Sequence, residues 1–187
     1  MRLFIALEPP SLVKKELLDA LRYLQGIKHS GINWVKPENL HLTVNFIGEV
    51  AEHRLIELKK LVAKQVQRYS SPILAAEGIE LYPYRFPRLI WLKLGGDESV
   101  LKALNRQTLS SLRALGIEAD AKALKLHVTL GRIKSQQSPE FERAALSYKI
   151  SSQYLAWNTL SLYKSLLRPD GPKYEVIEQY DLIKTEE

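Results

Sequence analysis

Apolar residues recur along this chain with two different periods, and the switches between them outline its elements. Residues 2 to 8, RLFIALE, are dense in apolar side chains, short, and stopped by Pro9 and Pro10, which predicts a strand. Val13, Leu17, Leu21 and Leu24 then recur at spacings of three and four, the stripe of a helix with Ser11 as its N-cap and Gly26 at its end. From Leu40 to Ile47 the period drops to two, so this segment is expected to be a half-buried strand with Leu42, Val44 and Phe46 facing the core. A second helix is expected over about 52–69, where Leu55, Leu58, Val62, Val66 and Tyr69 share a face. ILAAEGIELYP and LIWLKLGG, joined by YRFPR, read as paired strands.

Asp97 can cap a third helix whose stripe runs through Leu101, Leu104, Thr108, Leu112 and Leu115 to Gly116. A strand is expected from Leu124 to Ile133, and a shorter helix follows at SPEFERAAL with Pro139 in its first turn. Two last strands lie in YLAWNTLSLYKSLL and KYEVIEQYDLI. The order β-α-β-α-β-β-α-β-α-β-β, with no linker-like tract, predicts one α+β domain over residues 1–187. It is read as two intertwined, pseudo-symmetric lobes, each an antiparallel sheet with helices on its outer face, enclosing a central cleft.

Inside this pattern one phrase occurs twice. HLTV at 41–44 and HVTL at 127–130 both read His-aliphatic-Thr-aliphatic, and they use two of only four histidines. On a strand, residues two apart share a face. His41 and Thr43 would therefore project together from one strand, and His127 and Thr129 from another, each pair backed by aliphatic anchors. A lone His-x-Thr is usually a packed or half-exposed pair. Two matched copies in corresponding runs of elements point to chemistry instead. Imidazole gives or takes a proton near neutral pH, so two can serve as acid and base in phosphodiester cleavage, while a Thr hydroxyl can donate to a non-bridging phosphate oxygen.

Composition narrows the field. With no cysteine, disulfides, thiolate metal sites and cysteine nucleophiles are excluded. Zinc is not expected, because HExxH is lacking and Thr43 stands where a second strand ligand would be needed; no Gly-rich triphosphate loop with its Lys is present. His29 and His53 read as surface residues. The net charge of +6 favours an anionic partner. The apolar run at the N-terminus is too short for a signal peptide or a membrane span, so a cytoplasmic protein without membrane contact is expected.

RLFIAL, NWVKPENLHLTVNFIGEV, LHVTLGRIK and LYKSLLRPDGPKYEVI together resemble the two-histidine (2H) phosphoesterase superfamily, and within it the RNA 2′,3′-cyclic phosphodiesterases first described as 2′-5′ RNA ligases. The resemblance spans essentially the whole chain. It implies a two-lobed cleft with one motif from each lobe, no cofactor, His41 as proton donor and His127 as proton acceptor. Thr43, Thr129 and Arg132 would bind phosphate. Strict alternation places Arg132 opposite His127, so that role requires a bulge or strand end near Gly131. Relatives often carry Pro where Leu126 stands, which leaves the local strand path open. The implied substrate is RNA with a 2′,3′-cyclic phosphate end, tRNA halves among the candidates, opened to a 2′-phosphate by a monomer. Two alternatives stand beside it: ATP-independent 2′-5′ ligation by the reverse reaction, and a non-catalytic RNA- or nucleotide-binding module. Phe4, Tyr84, Phe86 and Trp157 are candidates to stack on a base, with core packing as the competing reading, and Arg85 and Arg88 to follow the RNA backbone.

Overall fold

The alternating segments assemble into two antiparallel sheets. In the computed structural model, which describes residues 1–150, 152–168 and 171–184, the strands are β1 (Arg2–Leu7), β2 (Ile32–Trp34), β3 (Leu42–Glu49), β4 (Ile73–Tyr82), β5 (Leu89–Gly96), β6 (His127–Ile133), β7 (Leu155–Ala156), β8 (Thr159–Leu166) and β9 (Lys173–Asp181). The helices are α1 (Ser11–Gly26), α2 (Leu55–Val66), α3 (Glu98–Ala114) and α4 (Pro139–Leu146). One sheet runs β3-β1-β8-β9 and the other β2-β6-β5-β4-β7. The expected α+β class and two-sheet architecture hold. Two short strands, β2 and β7, join the expected order; three and two residues are too few to show a period. Pro169 and Asp170, part of the phrase LYKSLLRPDGPKYEVI, lie outside the described residues.

Helices and sheets are exchanged between the lobes. α2 and α3 pack on the sheet that holds β1, although α3 follows β5 of the other sheet. α1 follows β1 yet lies beside α4: the Tyr23 hydroxyl donates to the Ala144 carbonyl at 3.1 Å, and α4 packs on β4. The helices bury most of the stripes read from their spacing, as with Val13, Leu17, Leu21 and Leu24 of α1, all at most 4 % exposed, while Leu55, Tyr69 and Leu115 at the ends of the other two stripes are half-buried. A side chain buried in this way stabilises by about 1.5–3 kcal/mol against exposure.

Three local expectations change. Ser11 is the first residue of α1 rather than its cap; Pro10 holds the N-cap position, with its carbonyl bonded to Lys14 N–H. Asp97 occupies the N-cap of α3, but its carboxylate accepts the Ile73 N–H at 2.9 Å and ties the helix start to β4. Phe46 does not face the core. Asn45 and Ile47 do, at 2 % exposure each, because β3 carries two extra residues against β1: Ala6 pairs with Thr43 and Ile5 with Asn45, leaving Val44 as a bulge, and Phe4 pairs with Phe46 and Leu3 with Gly48, leaving Ile47 as a second.

Asn105 of α3 fixes the first of these bulges. Its side-chain amide donates to the Val44 carbonyl at 2.7 Å, and its own carbonyl accepts from the Asn45 amide at 3.2 Å. All three residues are buried, so water cannot replace the bond. Asn105→Ala is expected to lower unfolding free energy by about 1–3 kcal/mol, read as a fall in urea midpoint at unchanged slope.

Candidate active site

The two motif strands face one another across a cleft of about 430 Å³ between the sheets, lined by His41, Thr43, His127, Thr129 and Arg132. His41 sits just before β3 and His127 opens β6. Each imidazole is held in the same way. His41 Nδ1 lies 2.6 Å from the Asn39 carbonyl and His127 Nδ1 lies 2.8 Å from the Lys125 carbonyl, in both cases the residue two positions earlier. A carbonyl can only accept, so Nδ1 carries the hydrogen and Nε2 is left for chemistry. In the neutral state His41 Nε2 accepts from the Thr43 hydroxyl at 3.0 Å.

Arg132 reaches the cleft because β6 is bulged where β3 is. Trp91 pairs with Thr129 and Ile90 with Gly131, so Leu130 is the extra residue. The bulge falls three residues after the His in both motifs. Alternation resumes one residue late: Ile47 and Ile133 point into the core, while Phe46 and Arg132, each five residues after its His, line the cleft. Gly131 itself packs under β2, where a Cβ would lie 3.1 Å from both Ile32 and Trp34.

Aromatic rings surround both imidazoles, and of these only Phe4 is singled out by the sequence. The Tyr174 ring stands edge-on to His41 at 5.3 Å, and Phe4 lies 5.0 Å from the same imidazole. Trp91 stacks on His127 at 3.8 Å and Tyr82 on Trp91 at 4.0 Å. The Lys125 ammonium completes that column, 4.0 Å over Tyr82 and donating to its hydroxyl at 2.8 Å. No local signal marks Tyr174 or Trp91, since their nearness to the histidines depends on which strands pair. Phe4 is thus part of the floor at 3 % exposure, whereas Trp157 is fully buried away from the cleft, which removes it as a stacking candidate. Tyr84 and Phe86 are exposed between β4 and β5 with Arg85 and Arg88, outside the cleft lining.

His53 is exposed as expected, but His29 is half-buried and structural. Its Nδ1 donates to the Ile27 carbonyl at 2.7 Å and its Nε2 accepts the Trp34 indole N–H at 3.1 Å, which anchors β2. Among the described residues, no group of three or more His, Asp or Glu side chains could hold a metal ion, and no helix is long and apolar enough to cross a membrane.

Burial keeps both catalytic candidates neutral. It pushes the His41 imidazole down to about 4, with the charges of His127 and Arg132 adding to the effect against the hydrogen bond to Asn39. Burial likewise lowers His127, assisted by the Lys125 ammonium. A cleft holding Arg132 and two imidazoles resists further positive charge, and a bound anion relieves that resistance.

Comparison with known proteins places these residues in context. A family model described as LigT-like phosphoesterase matches residues 7–91. The chain is 30% identical over 183 residues to an RNA 2′,3′-cyclic phosphodiesterase of Archaeoglobus fulgidus, covering 97% of this chain and 100% of that one. It is 31% identical over 184 residues to an RNA 2′,3′-cyclic phosphodiesterase of Methanocaldococcus jannaschii, covering 96% and 100%. The crystal structure of TT0787 of Thermus thermophilus superposes with a TM-score of 0.75 at 26% identity, covering 100% of both chains.

The lowered His41 value has a consequence for stability. The unfolded chain takes up a proton near the ordinary 6.5 while the folded site resists until about 4. Stability is therefore complete above 6.5 and is lost as pH falls towards 4, by up to about 3 kcal/mol from this group. His41→Gln is expected to flatten that acid limb in urea midpoints measured across the same window.

Proposed function

The chain belongs to the family of LigT-like phosphoesterases and RNA 2′,3′-cyclic phosphodiesterases, and from that membership we propose that its two motif histidines open the cyclic phosphate at an RNA end by paired acid and base catalysis. One observation carries the reading: two imidazoles, each locked by Nδ1 on a main-chain carbonyl, line one cleft together with Thr43, Thr129 and Arg132.

The phosphodiester monoanion binds against Arg132, with the Thr43 and Thr129 hydroxyls donating to its non-bridging oxygens. Thr43 gives up its bond to His41 Nε2 to do so, which frees that nitrogen for a proton. The substrate's negative charge offsets Arg132 and favours protonation of His41. A water molecule facing His127 Nε2 loses a proton to it as its oxygen attacks phosphorus. The bond from phosphorus to the 3′-oxygen then breaks, and His41 Nε2–H protonates the leaving oxygen. One water is consumed and a 2′-phosphomonoester results. Donor and acceptor labels follow the family resemblance; geometry alone treats the two motifs alike.

No metal is required, since the leaving oxygen is protonated and the phosphate charge is met by Arg132 and two hydroxyls. An RNA 5′-hydroxyl in the place of water would give a 2′-5′ linkage. Water at bulk concentration outcompetes it, so hydrolysis is the forward reaction. RNA fragments with cyclic ends, such as tRNA halves, are the substrate class. One chain supplies every site residue, so a monomer suffices.

His41→Ala and His127→Ala are each expected to lower kcat by roughly 10²- to 10⁴-fold on a cyclic-phosphate-terminated oligonucleotide, with chelator leaving the wild type unchanged. Full activity in either variant contradicts the reading. Replacing the 3′-oxygen of the substrate by sulfur, which leaves without a proton, should restore most of the rate to His41→Ala and none to His127→Ala. The opposite pattern exchanges the two roles.

A further inference from the structure

The two motifs are alike, but what stands behind their imidazoles is not. His41 is backed by Phe4 at 5.0 Å and by the edge of Tyr174 at 5.3 Å, whereas His127 lies face to face with Trp91 at 3.8 Å. Tyr82 continues that stack at 4.0 Å, and the Lys125 ammonium closes it, 4.0 Å from the Tyr82 ring centre and 5.7 Å from that of Trp91. Lys125 thus meets His127 twice. Its carbonyl accepts the Nδ1 hydrogen at 2.8 Å, and its ammonium stands at the far end of the aromatic column.

A tryptophan face excludes water, which disfavours an imidazolium, but its π density attracts one, so Trp91 alone leaves the charge of His127 undecided. An ammonium on the other side of the stack draws on the same π density and repels a second positive charge. The column as built therefore favours the neutral ring. The remaining charges that face His127 are offset or belong to the cleft. Lys93, opposite His127 in the ladder between β5 and β6, is paired with the Glu77 carboxylate at 2.8 Å, and Glu80 and Glu98 line the same adjoining hollow. Arg2, Lys36, His41 and Arg132 line the cleft itself. Lys125 donates instead to a neutral phenol and borders only the adjoining hollow. The difference tells when an anion arrives. A phosphate in the cleft offsets Arg132, whose charge bears on His41, and leaves Lys125 behind Trp91 as it was.

Resting on the catalytic reading above, we propose that Lys125 is a positioning residue that keeps His127 the base once substrate is bound, its carbonyl aiming the ring and its ammonium acting on it through Tyr82 and Trp91. The bound phosphate then lets His41 take up the proton while the column denies it to His127. Two matched motifs are thereby given different roles by a cation that stands outside the cleft.

The pH dependence of kcat separates the two rings. In the occupied enzyme the base must be neutral and sets the acid limb, while the acid must be charged and sets the alkaline limb. Lys125 is exposed, so Lys125→Met removes its charge without opening the core. This variant is expected to move the acid limb upward by about 0.3–1 pH unit, the effect of one unit charge across two stacked rings. The alkaline limb should stay in place, and Lys125→Arg should restore the wild-type profile. Imidazole 15N NMR of the protein saturated with inorganic phosphate makes the same comparison without turnover: the His127 titration rises in Lys125→Met and the His41 titration does not. An unmoved His127, an equal shift of both rings, or a failure of Lys125→Arg to restore the profile overturns the proposal. If the His127 titration moves as expected while His127→Ala keeps full activity, the catalytic reading falls and the electrostatic column alone stands.

Discussion

The hydrogen bond from each imidazole to the carbonyl two residues before it is the constraint on which the cleft depends. Without it a histidine beside a strand has two tautomers and a rotatable ring. With it, Asn39 and Lys125 carbonyls fix the ring plane and commit Nδ1 to donation, so Nε2 alone is left for the cleft. Both carbonyls lie just before their strands, where the main chain has not yet spent its acceptors on a ladder. The same bond recurs at His29, where Nε2 is used by Trp34 rather than exposed. One local device therefore anchors β2 in one place and aims an Nε2 at the cleft in two others, and what differs is the setting of the second nitrogen: the Trp34 indole holds it at His29, while a hydroxyl on the cleft wall meets it at His41.

Strand periodicity was enough to read His41 with Thr43 and His127 with Thr129 as same-face pairs, because these lie upstream of the irregularities. Downstream it failed in both motifs for one reason. A bulge inserts a residue without altering the apolar pattern, and Val44-Asn45-Phe46 reads as alternation whether or not Val44 is extra. Periodicity thus assigns Phe46 to the core, and Arg132 comes to the cleft only through the family resemblance and a bulge near Gly131. Trp91, Tyr174 and Tyr82 were illegible for a different reason: their roles exist only in cross-strand register, which one chain's sequence does not display. Trp157 shows the converse, a large aromatic whose burial follows from tertiary packing around β7 and β8.

The aromatic shells govern the charge state of the imidazoles as well as their packing. Phe4 and Tyr174 at His41, and Trp91 at His127, exclude water from ring faces that would otherwise solvate an imidazolium. The free protein therefore holds two neutral histidines in a cleft that already carries the Arg132 guanidinium. This poise makes protonation of either ring depend on the arrival of negative charge in the cleft. Polar groups in so dry a setting also act more strongly than in water, the Thr43 and Thr129 hydroxyls of the cleft wall among them.

Strand β1 lies between β3, which follows soon after it, and β8, whose Lys164 pairs with Leu3. During synthesis at the ribosome the first of these partners emerges early and the second only when most of the chain has been made. Until then one edge of β1 lacks its ladder, and the floor beneath His41 lacks Tyr163 and Tyr174. The exchange of α1 and α3 between lobes adds further contacts that must wait for distant sequence, so folding is governed by late, long-range closure rather than by sequential completion of two halves. A nascent chain thus carries its first histidine through most of translation without a working cleft, and gains its phosphodiesterase activity as one of the last events of its own assembly.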